Sequence, residues 1–99
     1  MTNNQVSSDY LVAWLRDRLE PECERHECDD AVSDRMEELD VSLMDVFFVL
    51  RKAARTTRGY DGGCFTVRGT DLDGRQLSVV VAPPSDKNRV RLVRVWLGD

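Results

Sequence analysis

Apolar residues recur at three-to-four spacing through the first half of the chain and at every second position through the second half, so helices are predicted first and strands after them. Ser8 and Asp9 read as a helix start. Leu11, Trp14, Leu15 and Leu19 then form a stripe that Pro21 interrupts, which predicts a first helix over residues 9–20. A second is predicted over 29–39, with Val32, Met36 and Leu39 on its apolar side and Asp29 and Asp30 at the positive end of its dipole. Ser42 followed by Asp45 resembles a capping box and opens a third helix. In it Leu43, Val46, Phe47, Leu50 and Ala54 share one side, and Met44 and Phe48 widen that side, so this helix is expected at the centre of the core.

Strands are predicted at 56–60, 64–70, 76–82 and 89–97. The intervening DGG (61–63), DLDGR (71–75) and PPSDKN (83–88) carry the Gly, Asp and Pro of tight connections. Alternation turns Phe65, Val67, Leu77, Val79, Val81, Val93, Val95 and Leu97 toward the helices, and Arg68, Arg94 and Trp96 toward the opposite face. The expected fold is therefore α+β, with about three N-terminal helices packed on a four-stranded antiparallel meander. It forms one domain over residues 8–99, preceded by a disordered stretch at 1–7.

Length and composition narrow the picture. A chain of 99 residues has room for one modest core, since a domain of this size buries only about 60–65% of its unfolded surface. Residues 1–10 lack the basic start and apolar run of a signal peptide, and VFFVL at 46–50 is too short to span a bilayer. Three cysteines are too few, and odd in number, for a secreted disulfide scaffold, so a cytoplasmic protein without membrane association is expected. The net charge of -4 conceals a division: residues 1–50 carry four basic and thirteen acidic side chains, and residues 51–99 carry ten basic and five acidic. Such a split predicts either two oppositely charged surfaces or pairing between the halves.

The acidic half suggests a binding function. Asp30, Asp34, Glu37 and Glu38 fall on the polar side of the second helix, with Asp29 and Asp40 at its ends. A surface of this charge suits a basic groove on another protein, and Trp14 and Phe48 would anchor such a contact if exposed. The function expected first is thus a non-catalytic binding or regulatory protein with a protein partner, of the kind of an inhibitor borne by a mobile element or phage. The chain itself is expected as a monomer or small homo-oligomer. On the basic half, Arg68, Arg94 and Trp96 offer phosphate pairing and base stacking to single-stranded RNA.

PECERHEC, residues 21–28, crowds Cys23, His26 and Cys28 into one short segment. With Cys64 these make a Cys3His set, a combination that binds zinc. The paired Cys-x2-Cys spacing is absent, and the same segment reads as a solvated loop between helices. Glu22, Glu24, Glu27, Asp29 and Asp30 oppose thiolate formation, so a reactive cysteine is not expected. Zinc is the one cofactor the sequence suggests.

DRMEELDVSLMDVFFVL, a glycine, a strand, DLDGRQLSVVVAP and a final strand together resemble a small bacterial domain family of uncharacterised function, over residues 30–97. Arg35, Met36, Val41, Ser42, Val46, Leu50, Gly74 and Leu77 match its pattern. Domains of that family resemble the helix-then-sheet fold of the RelE and BrnT type toxins, which implies a RelE-like fold and, as an alternative function, a metal-independent ribonuclease acting on RNA. The family places a His four residues before the motif Arg, where this chain has Ala31, and a second Arg where it has Leu39. Imidazole proton transfer is then unavailable at that point. The resemblance implies cleavage by Arg, Lys and Tyr instead; in this chain the candidates are Arg55, Tyr60, Arg68 and Arg94, with Tyr as proton donor or acceptor and Arg as phosphate clamp, and Arg75 and Arg91 as further clamps. Catalysis is left open by the sequence.

Overall fold

The computed structural model describes residues 8–20, 23–24, 26–53, 55–60, 63–83 and 89–98. The disordered stretch expected at 1–7 and most of the PPSDKN connection lie outside the described residues. Three helices, α1 (Ser8–Arg18), α2 (Asp30–Leu39) and α3 (Leu43–Lys52), precede the main strands as expected. Helix α1 stops two residues short of its predicted end, because Pro21 biases Glu20 away from helical geometry. Leu19–Glu20 (β1) instead pairs antiparallel with Cys23–Glu24 (β2).

The predicted loop between the first two helices is replaced by a strand at its end. His26–Cys28 (β3) pairs in parallel with Val90–Leu97 (β7), matching His26 to Val90 and Cys28 to Leu92. With Arg55–Tyr60 (β4), Cys64–Thr70 (β5) and Gln76–Val81 (β6) the sheet has five strands in the order β3-β7-β6-β5-β4. It is therefore mixed, with an antiparallel meander plus one parallel edge, and not the four-stranded antiparallel sheet expected. The three residues of β3 are too few to show an alternation, and their partner lies more than sixty positions away in sequence.

The helices build one core against one face of the sheet. Leu11, Trp14 and Leu15 of α1, Val32 and Met36 of α2, and Val46, Phe47, Val49 and Leu50 of α3 meet Phe65, Val67, Leu77, Val79, Val81, Val90, Leu92 and Val95. His26 joins them edge-on to Phe47, with ring centroids 5.1 Å apart. The inward set of β5 and β6 is as the alternation predicts. On β7 it is not: Val80 pairs with Arg94 but Val81 pairs with Leu92, so Val93 is an extra residue in a bulge. The bulge lets Leu92 and Val95 both face the core and leaves Val93 half-buried.

Leu50 is fully buried at the helix–sheet contact. Leu50→Ala is expected to cost about 2–5 kcal/mol, whereas exposed Met44→Ala should stay within about 0.5 kcal/mol, both read from urea unfolding midpoints.

Candidate functional site

The connection from α2 to α3 turns on two local rules. Asp40 takes the left-handed conformation with φ 56°, and its N–H and that of Val41 donate to the carbonyls of Glu37 and Met36, closing α2. Ser42 then caps α3 as the sequence predicts. Its hydroxyl accepts from the Asp45 N–H at 3.1 Å while its own N–H donates to Asp45 Oδ2 at 3.1 Å. Asp45 is only 4% exposed. Its second oxygen accepts from the Leu72 N–H at 3.1 Å, which fastens the β5–β6 hairpin to the first turn of α3.

That hairpin is held from within by Asp71 and Arg75. Buried Asp71 accepts from the backbone N–H of Asp73 and of Arg75 through Oδ1, each at 2.9 Å, and from Arg75 Nε through Oδ2 at 2.9 Å. The rest of the Arg75 guanidinium reaches the end of α2, donating to the carbonyls of Leu39 at 3.1 Å and Asp40 at 3.0 Å. Arg75 is therefore a structural clamp between the hairpin and the end of α2. Burial alone pushes the Asp45 carboxyl up. Hydrogen bonds from the Ser42 backbone, the Ser42 hydroxyl and the Leu72 backbone, with the charge of Arg75, outweigh burial and lower its pKa from the ordinary 3.8.

Around this corner opens a groove of about 410 Å³ lined by Met36, Glu37, Asp40, Val41, Ser42, Asp45, Leu72 and Asp73. All of its charged lining residues are acidic. It continues into the outer side of α2, where Asp30, Asp34, Glu37 and Glu38 are exposed. At 3.6 residues per turn these four fall within an arc of about 100°, opposite the buried side. The arc contains the like-charged pairs Asp30–Asp34, Asp34–Glu37 and Asp34–Glu38, each of which costs a helix roughly 0.2–0.5 kcal/mol. Arg35 offsets part of this through a 3.6 Å pair with Glu38. Among the described residues, Asp30, Asp34 and Glu37 make no ion pair. Asp29, at the helix start, holds Arg91 at 3.1 Å.

The other expected site residues are distributed differently. Trp14 is 6% exposed, with Arg18 stacked 4.4 Å from its ring, so it belongs to the core, whereas its expected role as an anchor supposed it exposed. Phe48 is half-buried under Lys52. Arg55, Arg68 and Arg94 do share the helix-free face of the sheet: Arg55 pairs across from Arg68, Arg68 from Ser78, and Ser78 from Trp96, with Arg94 in the next row. Arg68 donates to Thr57 Oγ1 at 3.3 Å and Arg94 lies 5.4 Å from the Trp96 ring. Each of the three arginines is engaged in a further contact within the chain. Arg91 is drawn to Glu27 and Asp29, where it ties β3 to the start of α2. The side chains of Tyr60 and Cys23 lie outside the described residues.

Among the described members of the cysteine and histidine set, Cys64 is not brought to His26 and Cys28. His26 and Cys28 turn inward on β3, whereas Cys64 lies on β5 and alternates with the core residues Phe65 and Val67. Two strands intervene, which is three spacings of about 4.8 Å, or roughly 14 Å, against Zn–S bonds of about 2.3 Å. Among the described residues no three His, Cys, Asp or Glu side chains converge as a metal-binding group. Among the described residues no helix is long and apolar enough to cross a membrane. Sequence reasoning missed the groove, although Asp71 and Arg75 in DLDGR and the unexplained Leu72 at a turn were its signals.

The folded pKa of Asp45 lies below the unfolded one, so its ionised form stabilises the fold above about pH 4 and that contribution is lost as pH falls through the folded value. Asp45→Asn should be less stable than wild type at neutral pH. Its urea midpoint should fall less steeply than that of wild type between about pH 5 and pH 2.5. Comparison with known proteins finds no matching family model, no matching curated protein and no matching solved structure, so function is argued from this geometry.

Proposed function

We propose that the chain is a non-catalytic binding protein that presents the acidic outer side of α2 to a basic surface on a protein partner, in the manner of an inhibitor borne by a mobile element. The observation that carries this reading is the uninterrupted run of exposed Asp30, Asp34, Glu37 and Glu38 along one helix, retained despite like-charge repulsion within it. A fold keeps locally unfavourable choices where function requires them. Partner association would be steered by this field and would weaken with salt. We place the protein in the cytoplasm on the same grounds as its cysteine usage, and the likeness to RelE and BrnT type toxins is proposed for the layout of helices and sheet, not for their chemistry.

A second reading, RNA binding or cleavage on the sheet, is favoured by Arg55, Arg68, Arg94 and Trp96 sharing one face. It ranks below the first because those arginines are already engaged within the chain, whereas Asp30, Asp34 and Glu37 make no ion pair among the described residues. Affinity capture from the producing cells, with increasing salt as eluent, separates the two. The tagged protein should retain a basic protein, and Asp30→Lys with Asp34→Lys should reduce that retention at least about tenfold. RNA cleavage by the wild type that is lost on Arg94→Ala would replace this reading with the enzymatic one.

A further inference from the structure

Three of the five exposed large hydrophobic residues among those described lie at one corner of the molecule: Met44 is 65% exposed, Leu72 53% and Leu43 36%. The hydrogen bond from the Leu72 N–H to Asp45 fixes Leu72 beside the first turn of α3, which carries the other two. None of the three helps to bury the core. Leu72 lines the 410 Å³ groove with Met36, Val41, Glu37, Asp40 and Asp73, and Leu43 and Met44 stand next to it in the chain, between its lining residues Ser42 and Asp45. A second cavity of equal volume is lined by Phe48 and Lys52 of α3 and by Gly69 to Asp71, so it meets the same hairpin one residue before Leu72.

We propose that this corner is a docking groove for a basic amphipathic segment of the protein partner. Apolar side chains of the segment rest on Met44 and Leu72, and its Lys or Arg side chains face Glu37 and Asp40. The inference rests on the acidic α2 surface described above and deepens it by naming what the partner brings. Charge selects the occupant. Every charged side chain lining the groove is acidic, and Arg75 pairs with two of them, Asp73 at 3.5 Å and Asp45 at 3.7 Å, while its other donors go to Asp71 and to the carbonyls of Leu39 and Asp40. Glu37 and Asp40 make no ion pair among the described residues, so they are available to an incoming cation.

Shape and mechanics agree with charge. Exposed apolar groups rimmed by polar ones mark interaction surfaces, and thioether side chains adapt to varied apolar partners. The groove walls are fixed on both sides, by the capping box of α3 and by the Asp71–Arg75 clamp, so little ordering is needed on binding. A lysine or arginine can lay its methylene stem on Met36 and Val41 while its charged end meets the carboxylates. The acidic arc of α2 alone would accept any cation. The apolar corner is what would discriminate an amphipathic segment from a merely basic one.

Two synthetic probes of equal length and charge test this by fluorescence anisotropy: a Lys/Leu peptide with leucines at helical spacing and a Lys/Ser peptide. Wild type should bind the Lys/Leu peptide about tenfold more tightly, as expected for burying one or two apolar side chains. Met44→Ser with Leu72→Ser should remove that preference and leave Lys/Ser binding unchanged, and amide shifts on binding should map to Met36, Val41 and Leu72. Asp30→Lys with Asp34→Lys should weaken both peptides. Loss of affinity on the acidic reversal with the preference intact in Met44→Ser/Leu72→Ser would overturn the groove and leave the acidic surface standing. No response to the acidic reversal would remove the acidic surface itself. A dimer of the free protein that dissociates on Met44→Ser/Leu72→Ser would assign the corner to a second copy, which also overturns the proposal.

Discussion

The structure depends on one buried polar junction. Asp45 and Asp71 are both nearly inaccessible, and each would be costly to ionise in the interior without compensation. Here each carboxylate oxygen has a partner: Asp45 accepts from Ser42 and Leu72, and Asp71 accepts from two backbone N–H groups and Arg75. Arg75 couples them, since its guanidinium lies 2.9 Å from Asp71 and 3.7 Å from Asp45. A fully satisfied network of this kind rigidifies what it joins. What it joins is the end of α2 and the start of α3 to the hairpin of the sheet, 27 to 36 positions further along the chain. The apolar core presses the layers together without direction, and the junction sets their register.

The same view explains the mixed sheet. β7 without a partner on its outer side would be a long edge of unpaired backbone groups, a template for association with another chain. β3 covers its first three residues in parallel, and Arg91 fastens the cover through Glu27 and Asp29. His26 and Cys28 thereby turn toward the core, His26 against Phe47. Two residues that invite a reading as metal ligands, His26 and Cys28, are in this fold the inward side of a short strand.

What was legible in the sequence was local. The Ser42–Asp45 cap, the DLDGR turn and the alternation in β5 and β6 each need fewer than eight residues to be recognised, and the structure contains all of them. Helix α3 as the core element was also readable, because its apolar residues run almost around the helix. What was not legible depended on distance. β3 needs Val90 to Leu92 to exist as a strand, and the bulge at Val93 needs the register of β6. The acidic side of α2 was readable as a helix face. The groove at its end was not, since Leu72 and Asp73 come to it from the hairpin and Asp45 from the next helix.

The junction and the acidic surface are linked through the dipole of α2. A helix prefers cations in its last turn, yet α2 has none there and carries Glu37 and Glu38 instead. Left alone, that end would be disfavoured both by the dipole and by repulsion among its carboxylates. Arg75 supplies the missing positive charge from 36 positions along the chain, donating to the carbonyls of Leu39 and Asp40 from the hairpin side. Because the neutralising charge arrives from beneath, the outer positions of the helix need not provide it. The helix can then present acidic side chains along its whole outer length and still end in an ordered turn. The clamp that stabilises the corner is in this sense also what leaves the acidic surface unopposed.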